Sequence, residues 1–592
     1  MIDETLATRL HEAAMAYAHE AMVSTDAEAS RLYRLALENE RKAADILEQE
    51  KQEEPTRSIL YRSAATLALD CKEYEEAEKL IKKALAGHPP PDVMEELFEL
   101  RGRVDLAKRQ AKESDLGSKF GRMDEVVVFN GIEGRSGQYL FPPMTAQETS
   151  DSLLKWQNID RALAKNLHRA LAPGFDPKNL ATSGWGVVFH EQENPEIREA
   201  LAPLLAHRQA QAGQRFEHLY RELKGTEGYR DGMGKEDFLT GCGAALGPVN
   251  PNRLPYYLLL VGGPERIPFH FQHQLDIQYA VGRVAFDTAE EYARYARSVV
   301  EAETSGSGRG RRIITLFGVR NPDDVVTALS TDHLIRPLAK RLEKPAEWQQ
   351  SPAWQVNSVV AEAATKDRLG RLLGGEETPA LLFTASHGMG FFPGDPLQRD
   401  HQGALLCQDW PGPERWKQSV PSEHYFSGDD VSSSARLDGL VAFHFGCHGV
   451  GTPATDEFAM RGGQPPDALA PAPFVARLPQ RLLAHPGGGA LAVIGHIERA
   501  WAYSFLGKQS LGQTEAFEST LRVLMDGYPV GYAMEWFNQR YGELAADLTL
   551  ALQRRGYGGA VREEEIAGLW VANNDARNYA VLGDPAVRIL VE

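Results

Sequence analysis

Over residues 73–86 the apolar positions fall at Ala77, Leu80, Ile81, Ala84 and Leu85, with charged residues between them. That spacing puts one apolar stripe on one helical face. Gly87 and the run Pro89, Pro90 and Pro91 predict where the helix stops. Just upstream, Ile59, Leu60, Ala64, Leu67 and Ala68 predict a partner helix. Two earlier amphipathic stretches, residues 4–22 and 26–50, complete a helical module over residues 1–115.

After residue 112 the pattern changes. Short apolar runs alternate with helical periodicity: VVVF at 126–129, GVVF at 186–189 and YLLLV at 257–261. Continuous apolar runs of this length predict strands buried on both faces, as in a mainly parallel sheet. TSGSGRGR at 304–311 reads as a linker. The pattern then restarts with IITLF at 313–317, a strand at 356–360, ALLFTA at 380–385, LVAFHF at 440–445 and ALAVI at 490–494. Thr365 is placed to cap the helix after the second of these. The expectation is an α/β fold in two tandem subdomains, residues 120–303 and 312–592, behind the helical module. Residues 391–437 lack periodicity and are rich in Pro, Gly, Asp and Ser. A loop that long in a compact domain is usually functional or disordered.

Composition narrows the function. A chain of 592 residues is too long for one core. The net charge of -18 argues against broad nucleic-acid binding, which needs a clustered basic surface. The first residues lack a basic segment followed by an apolar core, and no run of about 18 apolar residues exists. The expectation is a cytoplasmic protein with no membrane span. The four cysteines, Cys71, Cys242, Cys407 and Cys447, stand far apart and form no CxxC pair. Neither a disulfide scaffold nor a zinc ribbon is indicated.

Two strands of the restarted unit end in reactive residues. LLFTASHGMG carries His387 followed by Gly388, and LVAFHFGCHGVG carries Cys447 followed by His448 and Gly449. Ligands collect at the carboxyl ends of strands in open parallel sheets. If the two strands are neighbours, His387 and Cys447 leave the same edge. An imidazole beside a thiol can generate the attacking thiolate and then protonate a leaving amine. The N–H groups of Gly388 and Cys447 are natural donors to a developing oxyanion. His444 reads as a hydrogen-bonded core residue, and His448 is too close along the chain to orient toward the preceding thiol. Spacing supports no metal site and no nucleotide motif, so no cofactor is expected.

These residues resemble the caspase-type clan of cysteine peptidases, with the closest likeness to gingipain-type and CHAT-type bacterial members. The likeness includes SHG and CHG at successive strand ends, LLLVGGPERIPF (258–269), YAVGRVAFDTAEEY (279–292), GGGALAVIGHIERAW (487–501) and YAVLGDPAVRIL (579–590). It covers roughly residues 120–592. The helical segment before it resembles a tetratricopeptide-type hairpin, or equally a bundle of microtubule-interacting-and-transport type. The resemblance implies a caspase-like fold and peptide-bond hydrolysis through a thioacyl-enzyme on Cys447, with His387 as its base. It implies a protein substrate, a protein regulator at the N-terminal helices, and a role as a bacterial defence or cell-death effector. One departure matters: some members carry Asp two residues before the cysteine, where this chain has Phe445. The substrate pocket is therefore open among Phe445 and the loop acids Asp323, Asp324, Asp332, Asp456 and Glu457. Arg399, Arg415 and Lys417 are candidate self-cleavage positions within 391–437. A caspase-like binding scaffold and a thiol transpeptidase or acyltransferase are the rival readings.

Overall fold

The computed structural model describes residues 2–22, 26–49, 54–87, 126–127, 131–137, 139, 144–145, 171–305, 311–344, 353–456, 458, 466–506, 514–556 and 561–590, with isolated residues between 89 and 104. The chain divides into two compact units, Met1–Met123 and Asp124–Glu592.

The first unit is helical. Its helices are α1 (Ile2–Met22), α2 (Asp26–Gln49), α3 (Thr56–Asp70) and α4 (Tyr74–Ala86), and consecutive helices pack on one another. α4 buries Ala77, Leu80, Ile81 and Ala84, the stripe the spacing predicts. Small residues such as Ala36, Ala43, Ala44, Ala64 and Ala68 fill much of the core, so helix backbones approach closely around Leu47, Leu60 and Leu97.

The second unit is built on one ten-stranded sheet. Its strands are β1 (Trp185–Phe189), β2 (Tyr220–Leu223), β3 (Tyr257–Val261), β4 (Ala280–Val284), β5 (Ile313–Gly318), β6 (Gln355–Val360), β7 (Leu381–Ala385), β8 (Val441–Phe445), β9 (Ala492–His496) and β10 (Tyr579–Gly583). The spatial order is β2-β1-β3-β4-β10-β9-β8-β7-β5-β6. Every pairing is parallel except β9 with β10. The last strand of the chain thus joins the first half of the sheet and runs parallel to β4. The two halves run in opposite directions, so their strand ends open at opposite edges. β1, β3, β4, β7, β8, β9 and β10 are buried along their whole length, which is why most read as unbroken apolar runs. Aromatic rings seal the middle: Phe443 lies 5.0 Å from Phe383, and Phe537 lies 4.2 Å from Tyr579.

Two stretches carry structure that the pattern does not show. Residues 391–437 are neither disordered nor structureless. They supply Leu405–Leu406 and Tyr425–Phe426 to a four-stranded sheet with Gly388–Gly390 and Gly131–Glu133. Ile132, Met389, Phe391, Leu406, Trp410 and Tyr425 form its core. Strands of two residues leave no periodicity to read. β2 went unread for another reason: it is a partly exposed edge strand, YREL, with polar side chains. Thr365 does cap its helix, accepting from Arg368 N. Of the run at 126–129, Val126–Val127 form a strand with Met144–Thr145, and the rest lies outside the described residues. Residues 306–310 of the expected linker also lie outside them. Among the described residues no helix is long and apolar enough to cross a membrane.

Candidate functional site

β7 and β8 are parallel neighbours, with Ala385 opposite Phe445. His387 and Cys447 each follow that matched pair by two residues, so they lie at one level on one edge of the sheet. Ser386 N donates to Phe445 O at 3.1 Å and carries the pairing past the strand ends. The two chains then touch backbone to backbone. A Cβ on Gly388 would stand 1.8 Å from the carbonyl oxygen of Cys447 and 2.9 Å from its nitrogen. No residue but glycine fits there.

The His387 ring is fully buried. Its Nε2 lies 2.8 Å from Asp324 Oδ2. Asp324 follows β5 and caps the helix Val325–Leu329, accepting from Val326 N at 3.2 Å. Thr327 Oγ1 donates to Oδ2 at 2.6 Å and the Tyr139 hydroxyl to Oδ1 at 2.8 Å. Burial pushes the Asp324 carboxyl up, but the His387 imidazole and the Thr327 and Tyr139 hydrogen bonds outweigh it, so its pKa lies below the ordinary value. An ionised carboxylate only accepts, so Nε2 carries the imidazole proton. Nδ1 is left as the basic nitrogen, and it is buried with no hydrogen-bond partner among the described residues. Tyr139 and Trp410 meet the ring edge-on at 5.8 and 6.4 Å.

Cys447 is also fully buried. Its sulfur accepts from Ala500 N at 3.4 Å and packs with Phe458, Trp501 and Val571. Burial pushes the thiol up to about 12, against the pull of the Ala500 N–H and of the Arg499 charge. The thiol is thus protonated near neutral pH, and it does not hydrogen-bond Nδ1 of His387. The backbone around it is strained. His448 has φ 57° and Glu498 φ 98°, and His448 N donates to Glu498 O at 2.5 Å. Left-handed conformations at side chains that gain nothing from them cluster at functional sites. Beside them the Arg499 guanidinium is buried, held by Asp456 at 2.6 and 2.9 Å and by Glu498 at 2.6 Å.

The remaining expected residues scatter. His444 bonds Thr384 Oγ1 at 2.9 Å, and burial pushes it down to about 4. His448 bonds Thr452 Oγ1 at 3.1 Å, and burial pushes it down to about 3. Phe445 is fully buried against His496, Phe505 and Phe517, in the core rather than on a pocket wall. Asp323 is exposed and pairs with Arg415 at 3.4 Å. Asp332 is exposed and pairs with Arg320 and Arg336. Asp456 stays near Cys447 through Arg499, and Glu457 lies outside the described residues. Cys71, Cys242 and Cys407 are free and remote from this cluster in sequence. Among the described residues no group of three or more His, Cys, Asp and Glu could hold a metal ion.

Sequence reasoning set Asp324 beside four other acids without separating them. A signal existed, because Asp324 stands directly before the apolar helical run VVTAL, where an N-cap belongs. Tyr139 was missed entirely, since nothing local marks it.

No protein-family model matches the chain. No curated protein matches it. Among solved structures, a chain described as "Structure of Protease" is similar, with a TM-score of 0.39 and 14% identity over 69% of this chain and 79% of that one.

Proposed function

We propose that the chain is a cysteine endopeptidase with a His387/Cys447 dyad. One observation carries this reading: two adjacent parallel strands end in register on an imidazole and a thiol, and a buried carboxylate holds the imidazole with its Nδ1 left basic and unpartnered. Nδ1 takes the Cys447 proton as the sulfur attacks the scissile carbonyl carbon. Charge develops on the carbonyl oxygen, and the N–H groups of Gly388 and Cys447 receive it. The protonated Nδ1 gives its proton to the leaving amine, and the C–N bond breaks to leave a thioester on Cys447. Water then gives one proton to Nδ1 and adds to the thioester. Collapse breaks the C–S bond, Nδ1 returns its proton to the sulfur, and the carboxylic acid leaves.

The thiol is buried and does not hydrogen-bond the imidazole. This arrangement fits an enzyme switched on by a partner held at the helical N-terminus, residues 1–115. In this reading residues 120–303 form a non-catalytic caspase-like subdomain and residues 312–592 the catalytic one. The closer placement, beside gingipain-type and CHAT-type peptidases acting in bacterial cytoplasm as defence or cell-death effectors, is the finer part of the same proposal. The same buried thiol also favours a second reading, a caspase-like binding scaffold without turnover.

Wild type and Cys447→Ala are incubated in parallel with a proteome digest, and new peptide N-termini are sequenced by mass spectrometry. New termini only with wild type support the peptidase. Ligation to an added amine in place of hydrolysis points to a transpeptidase or acyltransferase. No cleavage by wild type, together with a biological effect retained in Cys447→Ala, overturns the proposal in favour of the scaffold.

A further inference from the structure

Residues 131–137 and 139 precede every strand of the ten-stranded sheet in sequence, yet they end at the His387 side of the candidate site. Gly131–Glu133 pairs in parallel with Gly388–Gly390, with Gly131 opposite Gly388 and Ile132 opposite Met389. The chain then folds back, so that Tyr139 bridges Ile132. Gly134 N donates to Gly390 O at 2.7 Å, and Val420 N donates to Gly134 O at 2.7 Å. Arg135 forks onto Asp395 at 2.7 and 3.0 Å. Gly137 has φ 67°, and a Cβ there would come within 2.7 Å of the carbonyl oxygens of Trp416 and Gln418. The segment is a strap, pinned along its length to the small sheet that carries Gly388.

At the end of the strap the Tyr139 hydroxyl donates to Asp324 Oδ1, and its ring meets His387 edge-on. The oxygens of Asp324 are loaded unequally without it. Oδ2 takes His387 and Thr327, whereas Oδ1 would keep only the longer bond from Val326 N. Burial pushes the Tyr139 phenol well up, so it stays protonated and donates throughout the working range of pH.

We infer that Tyr139 is a positioning residue for His387, acting through Asp324, and that the strap formed by residues 131–137 and 139 is a built-in part of the site. This rests on the peptidase reading above. With four donors on its two oxygens, the carboxylate cannot pivot and holds His387 as the Nε2–H tautomer. Removing the Tyr139 hydroxyl leaves Oδ1 with only the 3.2 Å bond from Val326 N. The carboxylate is then free to tilt, and its hold on the Nε2–H tautomer of His387 weakens. The ring orientation loosens, and the transition state loses more than the ground state.

The test uses the full chain with 15N-labelled histidines, in wild type and Tyr139→Phe, with the His387 signal assigned from its loss in His387→Gln. Phenylalanine keeps the ring, so the thermal midpoint is expected to stay where it is. The 15N shifts of His387, which distinguish Nε2–H from Nδ1–H, are expected to move from the Nε2–H pattern toward a mixture of the two. Turnover is expected to fall about tenfold, with KM within about twofold. A His387 15N pattern unchanged from wild type overturns the inference, whatever the rate does. A wild type with no turnover but the expected NMR shift leaves the inference standing and removes the peptidase reading instead.

Discussion

Two buried carboxylates anchor the second unit, and they do different work. Asp584, just past β10, accepts from Trp185 Nε1 at 2.9 Å and Arg208 Nε at 2.6 Å. Arg208 is also forked onto Glu303 at 2.7 Å through each of its other nitrogens. Asp324 is buried as deeply and is as well supplied with donors. The contrast lies at the far end of each network. The first closes on a guanidinium held from both sides, a permanent charge. The second ends on an imidazole with one nitrogen left bare. Buried polar groups are nearly always paired, so an orphan on a titratable ring calls for an explanation that a saturated ion pair does not.

Asparagine at each position separates the two roles. Asp324→Asn offers His387 an amide in place of a carboxylate, which no longer selects the Nε2–H tautomer or stabilises the imidazolium. Turnover is expected to fall by about 10³–10⁴, the scale of that loss in a serine-protease triad, with the fold retained. Asp584→Asn leaves Arg208 with one carboxylate fewer in a dry site. Its expected cost is about 3 kcal/mol of stability, read as a lower denaturant midpoint, while the turnover of the folded fraction is unchanged. If the effects exchange places, with Asp324→Asn unfolding the chain and Asp584→Asn abolishing turnover, the comparison fails.

The same distinction explains what could be read in the sequence. β3, β7, β8 and β9 were legible because burial on both faces demands continuous apolar runs. The positions of His387 and Cys447 followed from those strands. The antiparallel seat of β10 was not legible, since LGDP carries no sign of the direction in which its strand pairs. The partners of His387 were harder still. Asp323 and Asp324 are adjacent and identical in type, yet one is exposed and the other fully buried. Only the cap before VVTAL distinguishes them. Tyr139 lies 185 residues from Asp324 and 248 residues from His387, and only the folded sheet brings the three together.

The flanking histidines sharpen the contrast in another way. His444 and His448 are buried neutral, with pKa pushed down to about 4 and about 3. A histidine with a lowered folded pKa binds fewer protons in the native chain than in the unfolded one. Its destabilising effect is absent above the unfolded value, about 6.5, and grows as pH falls toward the folded value. Each is expected to remove about 2 kcal/mol of stability between pH 7 and pH 5. Urea titrations at the two pH values check this, and His444→Gln should reduce the difference by about 2 kcal/mol. An unchanged difference would mean that His444 is not what the acid form must overcome.

The smallest expected effect concerns the acids that the sequence put forward and the fold leaves at the surface. Asp323 reaches Arg415, and Asp332 reaches Arg320 and Arg336, each pair in contact with water. Exposed pairs are screened and must hold long side chains in place, so their net worth is small. Asp323→Asn and Asp332→Asn are expected to change turnover by less than about twofold on any substrate the wild type cleaves. Asp323 is the sharper case, because it stands one residue from Asp324 and has a left-handed backbone of its own, φ 56°. Asparagine tolerates that conformation as well as aspartate does, so the change removes the charge without moving the turn. A large loss of turnover at Asp323→Asn, limited to substrates with a basic side chain before the cut, would place that carboxylate at the substrate. The division between a buried working acid and its solvated neighbour would then no longer hold.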